Sequence, residues 1–422
     1  MVKYIGPVIS IIVFIIWIVV SEDFSFACSR AISVLIISCP LVLGVYSYFA
    51  IKIGKRVADK SGIAFKSDKA LVDAANTQII ALEMTGTVTE GHPVVTDINS
   101  ADHFTMSGYA VGGYSDDELL EVAALLEKKS DHPIARSIIK FTDDILIEAE
   151  DELEDFKVYP GKGLEGSLDG ILLRGGNLDF VAEKVNIPAE IKMRADELAA
   201  MGKTPIFYSK GKRLLGIISV ADKIDKEAEK AIAEFKGLGI KVVMITGSNE
   251  ETAKAIADKT GIDEVITGVL SESKEEIVRN IASQGKLAMV GKGRKDAMLL
   301  KAADIGFAQK DENVDLTEAA DILLVNDSLF EAASAIRLSK LVNKKTKENY
   351  ILLVVFGVIL TMFASGVFYY AFGIMPGLVL CVILTALSCF LVFANSLRLN
   401  DFDINDTSKD SAISGNHGPE NI

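Results

Sequence analysis

Residues 81–91 read ALEMTGTVTEG, where an apolar run ends in a carboxylate, Glu83, and breaks into Thr85-Gly86-Thr87. An acid at the mouth of a strand, beside a turn with free backbone N–H groups, can receive a phosphate. The chemistry such spacing could support is phosphoryl transfer to the acid. Two features count against it: the acid is Glu and not Asp, and Met84 follows where a cation would be useful. Three more polar loops follow apolar runs: TGSN at 246–249, SESK at 271–274 and VGKGRKD at 290–296.

These loops need strands to hold them. From 218 to 338 helical and β-rich runs alternate: KEAEKAIAEFKGLG, IKVVMITG, ETAKAIADKTG, EVIT, SKEEIVRNIASQG, KLAMVG, a short helix, ADIGFA and ILLV. Such alternation, with Gly closing the helices, predicts a parallel sheet wrapped on both faces. TQIIALE at 77–83 is predicted to be its first and central strand. Ligands gather at the carboxyl ends of such strands, so the four loops are expected to form one site. Residues 98–217 read differently, with helices at 115–127 and 131–140 and then Gly-rich β-like runs. A second, α+β domain inserted after the first strand is the economical reading.

The chain has 422 residues, 50% of them hydrophobic, with a mean hydropathy of +0.32, and the apolar excess is localised. Residues 4–20, 31–51 and 374–397 are uncharged, and 349–372 carry only Asn349 as a strongly polar group. Each is close to the roughly 17–25 residues that cross a bilayer core as a helix, so four spans are predicted. A secretory signal is the rival for the first, helped by SFAC at 25–28, but the acidic SEDFS before Cys28 argues against cleavage. Lys3, Lys52, Lys55, Arg56, Lys340, Lys344, Lys345, Lys347 and Arg398 flank the spans on one side, whereas Arg30 alone lies on the other. This bias predicts an integral membrane protein in lipid, with both termini and the large central region in the cytoplasm.

The net charge of −14 gives no support for nucleic-acid binding, and the four cysteines lie in or beside the spans, suggesting no disulfide framework. The expected domains are a membrane hairpin (1–51), the sheet domain in two parts (52–97 and 218–338), the inserted domain (98–217), a second hairpin (339–399) and a disordered tail (400–422).

Over nearly all of residues 1–399 the chain resembles a P-type ATPase of the heavy-metal-transporting branch. EMTGTVTEG at 83–91 is similar to the family's DKTGTLTEG, TGSN to TGDN, and GKGRKD at 291–296 to GDGxND. SDHPIA at 130–135 resembles its Ser-Glu-His-Pro element, SCPLVLG at 38–44 its Cys-Pro-Cys-type motif, and NSLRL at 395–399 the end of its last transport helix. The resemblance implies a haloacid dehalogenase-like (HAD-like) Rossmannoid sheet with an inserted nucleotide-binding domain. It also implies ATP or ADP as ligand, Mg²⁺ at the phosphates and a transition metal as cargo.

The departures fall on the chemistry. The resemblance implies that an Asp at position 83 would accept the γ-phosphoryl group, yet Glu83 stands there, its carboxylate about 1.5 Å further out. Misplacing a reacting atom by roughly 1 Å can cost about a hundredfold in rate. Met84 replaces the motif's Lys, Ser248 replaces an acid, and Lys292 and Lys295 stand at the Asp and Asn of the magnesium loop, leaving Asp296. A charge pair at about 4 Å with an effective dielectric near 20 is worth roughly 4 kcal/mol, and exchanging carboxylate for ammonium reverses its sign. Phosphoryl transfer rests on positioning and electrostatics, and both are altered. Thr85, Gly86, Thr87, Lys274 and Asp296 persist and could still cradle an anion.

In the inserted domain, Glu127, His132, Gly161, Gly163 and Asn177 match the family's nucleotide-binding positions. His-Pro can equally be a plain helix start. In the spans, Leu41 stands where a second thiolate belongs, so Cys39, Ser388 and Cys389 remain as metal candidates, with small apolar packing as the other reading. Pro40 should break its helix. No Thr-Gly-Glu actuator motif occurs in the sequence, so a truncated member is expected. The leading expectation is a pseudoenzyme that binds nucleotide or acts structurally beside a complete pump. The alternatives are a subunit of a split transition-metal transporter, its actuator on a separate chain, and a non-functional remnant.

Overall fold

A computed structural model describes residues 5–38, 40–101, 116–147, 151–270, 272–309, 314–326, 328–369, 373, 377–406 and 410. The chain divides into two compact units, one from 1–76, 321–325 and 334–422, the other from 77–320 and 326–333.

The first unit opens with an apolar hairpin, α1 (Ile5–Ser21) and α2 (Phe24–Ile37). Asp23 sets the turn, its Oδ1 accepting from the N–H groups of Ser25 at 2.9 Å and Phe26 at 3.3 Å, which a helix start otherwise leaves unpaired. The predicted second span, 31–51, is not one helix. α2 stops at Ile37 and α3 (Pro40–Lys60) begins at the proline, which has no N–H to continue the ladder. At 14 residues α2 is about 21 Å long, too short to cross a bilayer core alone. β1 (Ile63–Phe65) and α4 (Asp68–Ala74) follow.

The second unit carries β2 (Ile79–Glu83), a single turn over Met84–Val88, and β3 (Val94–Ser100). Then come α5 (Asp116–Glu127), α6 (Pro133–Asp144), β4 (Glu154–Tyr159), β5 (Gly163–Leu168), β6 (Ile171–Gly176), α7 (Leu178–Ala182) and α8 (Ala189–Ala200). β7 (Thr204–Lys210) and β8 (Arg213–Ala221) complete an antiparallel sheet in the order β3-β8-β7-β6-β5-β4. The remaining elements are α9 (Lys226–Gly237), β9 (Lys241–Ile245), α10 (Glu250–Thr260), β10 (Glu264–Ile266), α11 (Lys274–Ala282), β11 (Leu287–Gly291), α12 (Ala297–Ala302), β12 (Ile305–Gln309) and α13 (Val314–Ala319). They build a parallel sheet in which β2 is central, in the order β12-β11-β2-β9-β10. Ile80, Ala81 and Leu82 are fully buried, as a strand covered on both faces requires.

The first unit resumes with β13 (Ile322–Leu324), antiparallel to β1, then α14 (Leu329–Ser365) and α15 (Leu378–Leu397). α14 and α15 (the latter with its terminal turn) are long and apolar enough to cross a membrane, whereas α1 and α2 are shorter apolar helices. Trp17 pins α1, its indole N–H donating to the Ser365 carbonyl at 2.6 Å. Near one end of the bundle, α3, α14 and α15 share a buried polar knot. Lys345 Nζ donates to Glu348 Oε2 at 2.7 Å and Asn395 Oδ1 at 3.1 Å. Asn349 Nδ2 donates to the Tyr46 carbonyl at 3.0 Å and Ser396 Oγ at 2.9 Å, and its Oδ1 accepts from Asn395 at 2.9 Å.

The tail expected to be disordered from 400 is held at its start. Phe402 is buried, and Arg337 donates to the carbonyls of Asp403 at 2.7 Å and Ile404 at 3.0 Å and pairs with Asp410 at 3.2 Å. A buried guanidinium needs such acceptors, which overrides the tail's polar composition. The rest of that expectation, 407–409 and 411–422, lies outside the described residues.

Asn349→Ala removes three buried hydrogen bonds and should cost on the order of 3 kcal/mol. It should lower the melting temperature of the detergent-solubilised protein by several degrees, while Ile351→Ala, at an exposed position, should not. Equal melting of the two variants would remove the knot from any stabilising role.

Candidate functional site

Because β9, β2 and β11 are adjacent and parallel, the loops after them emerge side by side. Glu83 ends β2, and its carboxylate is ion-paired with the ammonium of Lys274, the first residue of α11. Lys274, expected to help cradle an anion, is here engaged with Glu83. Asp296 is buried, and its Oδ2 accepts from the N–H groups of Lys292 at 2.9 Å and Gly293 at 3.1 Å, closing its own loop. Burial, followed by the nearby Asp296 charge, pushes the Glu83 carboxyl above its usual range, against the pull of Lys274 and Lys295.

The turn between Glu83 and Thr89 depends on Gly86, whose φ of +83° is left-handed and suits only glycine. Lys292 lies over it, its Cδ 3.9 Å from where a Gly86 Cβ would stand. Thr85 is exposed and Thr87 buried. Ser248 is half-buried and its N–H donates to Thr246 Oγ1 at 3.1 Å. One anchor escaped the sequence reading. Asp222 takes the Thr89 hydroxyl at 2.5 Å and the N–H groups of Gly91 and His92, each at 3.1 Å, and so fixes the exit of the turn. An acid standing where the chain returns from the inserted domain was the available signal.

In the inserted domain the structure brings Gly161, Gly163 and Asn177 together. Asn177 Nδ2 donates to the Gly161 carbonyl at 3.3 Å, and its Oδ1 caps α7 through Phe180 N–H at 2.9 Å. A Cβ on Gly163 would stand 2.3 Å from the Gly175 carbonyl, so strand packing alone demands glycine there. Glu127 is joined to this group indirectly: Tyr208 covers Gly175 and donates its hydroxyl to Glu127 Oε1 at 2.7 Å. His132 caps α6, its Nδ1 accepting from Ile134 N–H at 3.3 Å, which leaves Nε2 to carry the proton. It is exposed on one side yet hemmed in by protein, and that desolvation, with Lys295 and Arg136 nearby, holds its pKa below the usual range. A cavity of about 480 Å³ is lined in part by Glu127, Ser130, Asp131, Arg136 and Lys140, and none of the other four predicted nucleotide residues borders it.

Of the metal candidates, Cys39 lies outside the described residues. Ser388 is buried and donates to the Thr385 carbonyl at 2.7 Å within its own helix, and Cys389 is half-buried with a free thiol. Among the described residues no group of three or more His, Cys, Asp or Glu side chains could hold a metal ion.

With this geometry in hand, residues 77–304 match the haloacid dehalogenase-like hydrolase family. The chain is 34% identical over 390 residues to copper-exporting P-type ATPase B of Archaeoglobus fulgidus, covering 91% of this chain and 53% of that protein. It is 33% identical over 407 residues to a copper-exporting P-type ATPase of Staphylococcus aureus, covering 96% and 48%. A crystal structure of a zinc-transporting PIB-type ATPase in its E2.Pi state superposes with a TM-score of 0.70 at 27% identity, over 95% of this chain and 62% of that one. The chain belongs to the haloacid dehalogenase-like hydrolase family and, within it, to the heavy-metal branch of the P-type ATPases. It spans about half the length of the curated relatives it matches. It is a membrane protein carrying the HAD-like sheet and its inserted domain.

Burial, opposed by the Tyr208 hydrogen bond, pushes the Glu127 carboxyl up to about 7. The folded protein therefore keeps this proton where the unfolded chain has lost it, so stability falls as pH rises from the ordinary carboxyl range to about 7. The loss should be on the order of 3 kcal/mol. Glu127→Gln should flatten it: between pH 5 and pH 8 the variant's melting temperature should drop less than that of the parent. Parallel curves would show that Glu127 does not titrate in this range.

Proposed function

We propose that this protein binds nucleotide but does not form an acyl phosphate, acting as a nucleotide-responsive or structural membrane partner of a complete pump. The observation that carries the reading is the occupation of Glu83 by Lys274 beside a loop bearing Lys292 and Lys295. An acceptor must offer a carboxylate oxygen in line with the phosphorus. Glu83 is instead displaced by a methylene, held in an ion pair and pushed towards its neutral form. The side chains around it would repel the divalent ion that normally neutralises the transferred group.

Support for nucleotide binding is of another kind. The turn at Gly86, the grouping of Gly161, Gly163 and Asn177, and a neutral His132 form the frame that the family resemblance associates with ATP or ADP. Transport of a transition metal is set aside on this reading, since Cys39 is followed by Pro40-Leu41 and only Ser388 and Cys389 remain beside it as candidates. The basic residues beside the spans support a topology with both termini and the central region in the cytoplasm.

The test is labelling with γ-phosphate-labelled ATP in the presence of Mg²⁺ and Cu⁺, Zn²⁺ or Cd²⁺. No hydroxylamine-sensitive label is expected, and a stoichiometric label lost in Glu83→Ala would overturn the reading in favour of an active transporter subunit. ATP should also raise the melting temperature, an effect weakened in His132→Ala. If millimolar ATP leaves melting unchanged, only the structural role survives.

A further inference from the structure

The sheet ends hold ammonium groups where magnesium chemistry needs oxygens. Mg²⁺ requires near-octahedral oxygen ligands at about 2.0–2.1 Å, from one or two carboxylates together with phosphate. Glu83 is committed to Lys274, and Asp296 Oδ2 already accepts two backbone N–H groups. Lys292 and Lys295 stand on the same loop as Asp296. The residues present do not fit the ion.

They do fit an anion. Lys274, Lys292 and Lys295 outnumber Glu83 and Asp296 by one charge (three ammonium groups against two carboxylates), and the Gly86 turn adds backbone N–H groups. We propose that the ends of β2, β9 and β11 form a magnesium-independent polyphosphate site, with Lys292 and Lys295 taking over charge neutralisation from a divalent ion. This deepens, and rests on, the nucleotide-binding reading: the phosphates belong to a free nucleotide.

The inserted domain is placed to supply the other end of such a ligand. Leu270, in the loop after β10, comes within 2.8 Å of where a Gly161 Cβ would be, so the glycine loop faces the sheet ends. Lys295 is close enough to both Glu83 and His132 to act on each electrostatically, so it serves the cradle and the inserted domain alike. Mg²⁺ on the phosphates would cancel much of the ligand's charge and bring a dication towards two ammonium groups. Both effects weaken binding.

The experiment measures ADP and inorganic pyrophosphate binding to the detergent-solubilised protein by calorimetry, in EDTA and in excess Mg²⁺. The parent should bind both roughly tenfold or more tightly in EDTA. Lys292→Asp with Lys295→Asn should invert the order, binding better with Mg²⁺. Tighter binding by the parent in Mg²⁺, or an Mg²⁺ dependence unchanged in the double variant, overturns the inference and leaves nucleotide binding intact. Magnesium-free binding of pyrophosphate without any binding of ADP keeps the cradle and removes the nucleotide. Binding of neither probe in either buffer removes both.

Discussion

Two carboxylates, Glu83 and Asp296, meet at the end of a buried strand, and Lys274 makes that meeting tolerable. Without a cation the arrangement would be doubly unfavourable, since each acid is poorly hydrated and each repels the other. A pair of this kind gives little net stability, because desolvation consumes most of the attraction. What it provides is position. It ties the start of α11 to the end of β2, while Asp296 ties the loop after β11 to itself. The convergence of loops over the sheet therefore rests on a balance of charges, and the extra lysines tip that balance positive.

The same charges separate two properties that an active site of this kind normally joins. Holding a phosphate needs backbone N–H groups, a left-handed glycine and positive charge, all of which are present. Receiving a phosphoryl group covalently needs a free oxygen at one position and a divalent ion beside it. Lysine at 292 and 295 favours the first property and opposes the second, whichever acid stands at position 83.

Much of the scaffold was legible in the sequence because it is written in local patterns. The central place of β2 follows from an apolar run without alternation, and the helix break at Pro40 from a missing N–H. Partners distant along the chain were not legible. Tyr208 lies 81 residues from Glu127, and Asp222 lies 133 from Thr89. Nothing local in either member announces the other. Lys345 looked like one of several basic residues flanking a span, yet it is buried against Glu348 and Asn395. Composition cannot tell a flanking lysine from an internal one.

The glycines show that a pattern matching a ligand site can also be demanded by the fold. Gly163 matches a ligand-approach position, but its missing Cβ is required first by the carbonyl of Gly175, on the neighbouring strand of the same sheet. His132 is likewise required as the cap of α6, and Asn177 as the cap of α7. Such residues would be kept by folding alone, because losing a cap or forcing a Cβ into a strand costs stability whether or not a ligand binds. Lys292 and Lys295 are different. Lys295 is exposed and caps nothing, and neither position needs an ammonium to close the loop, which Asp296 does through backbone N–H groups. The charge of exposed Lys295 is therefore the more informative signal about this site, since the loop closes without it.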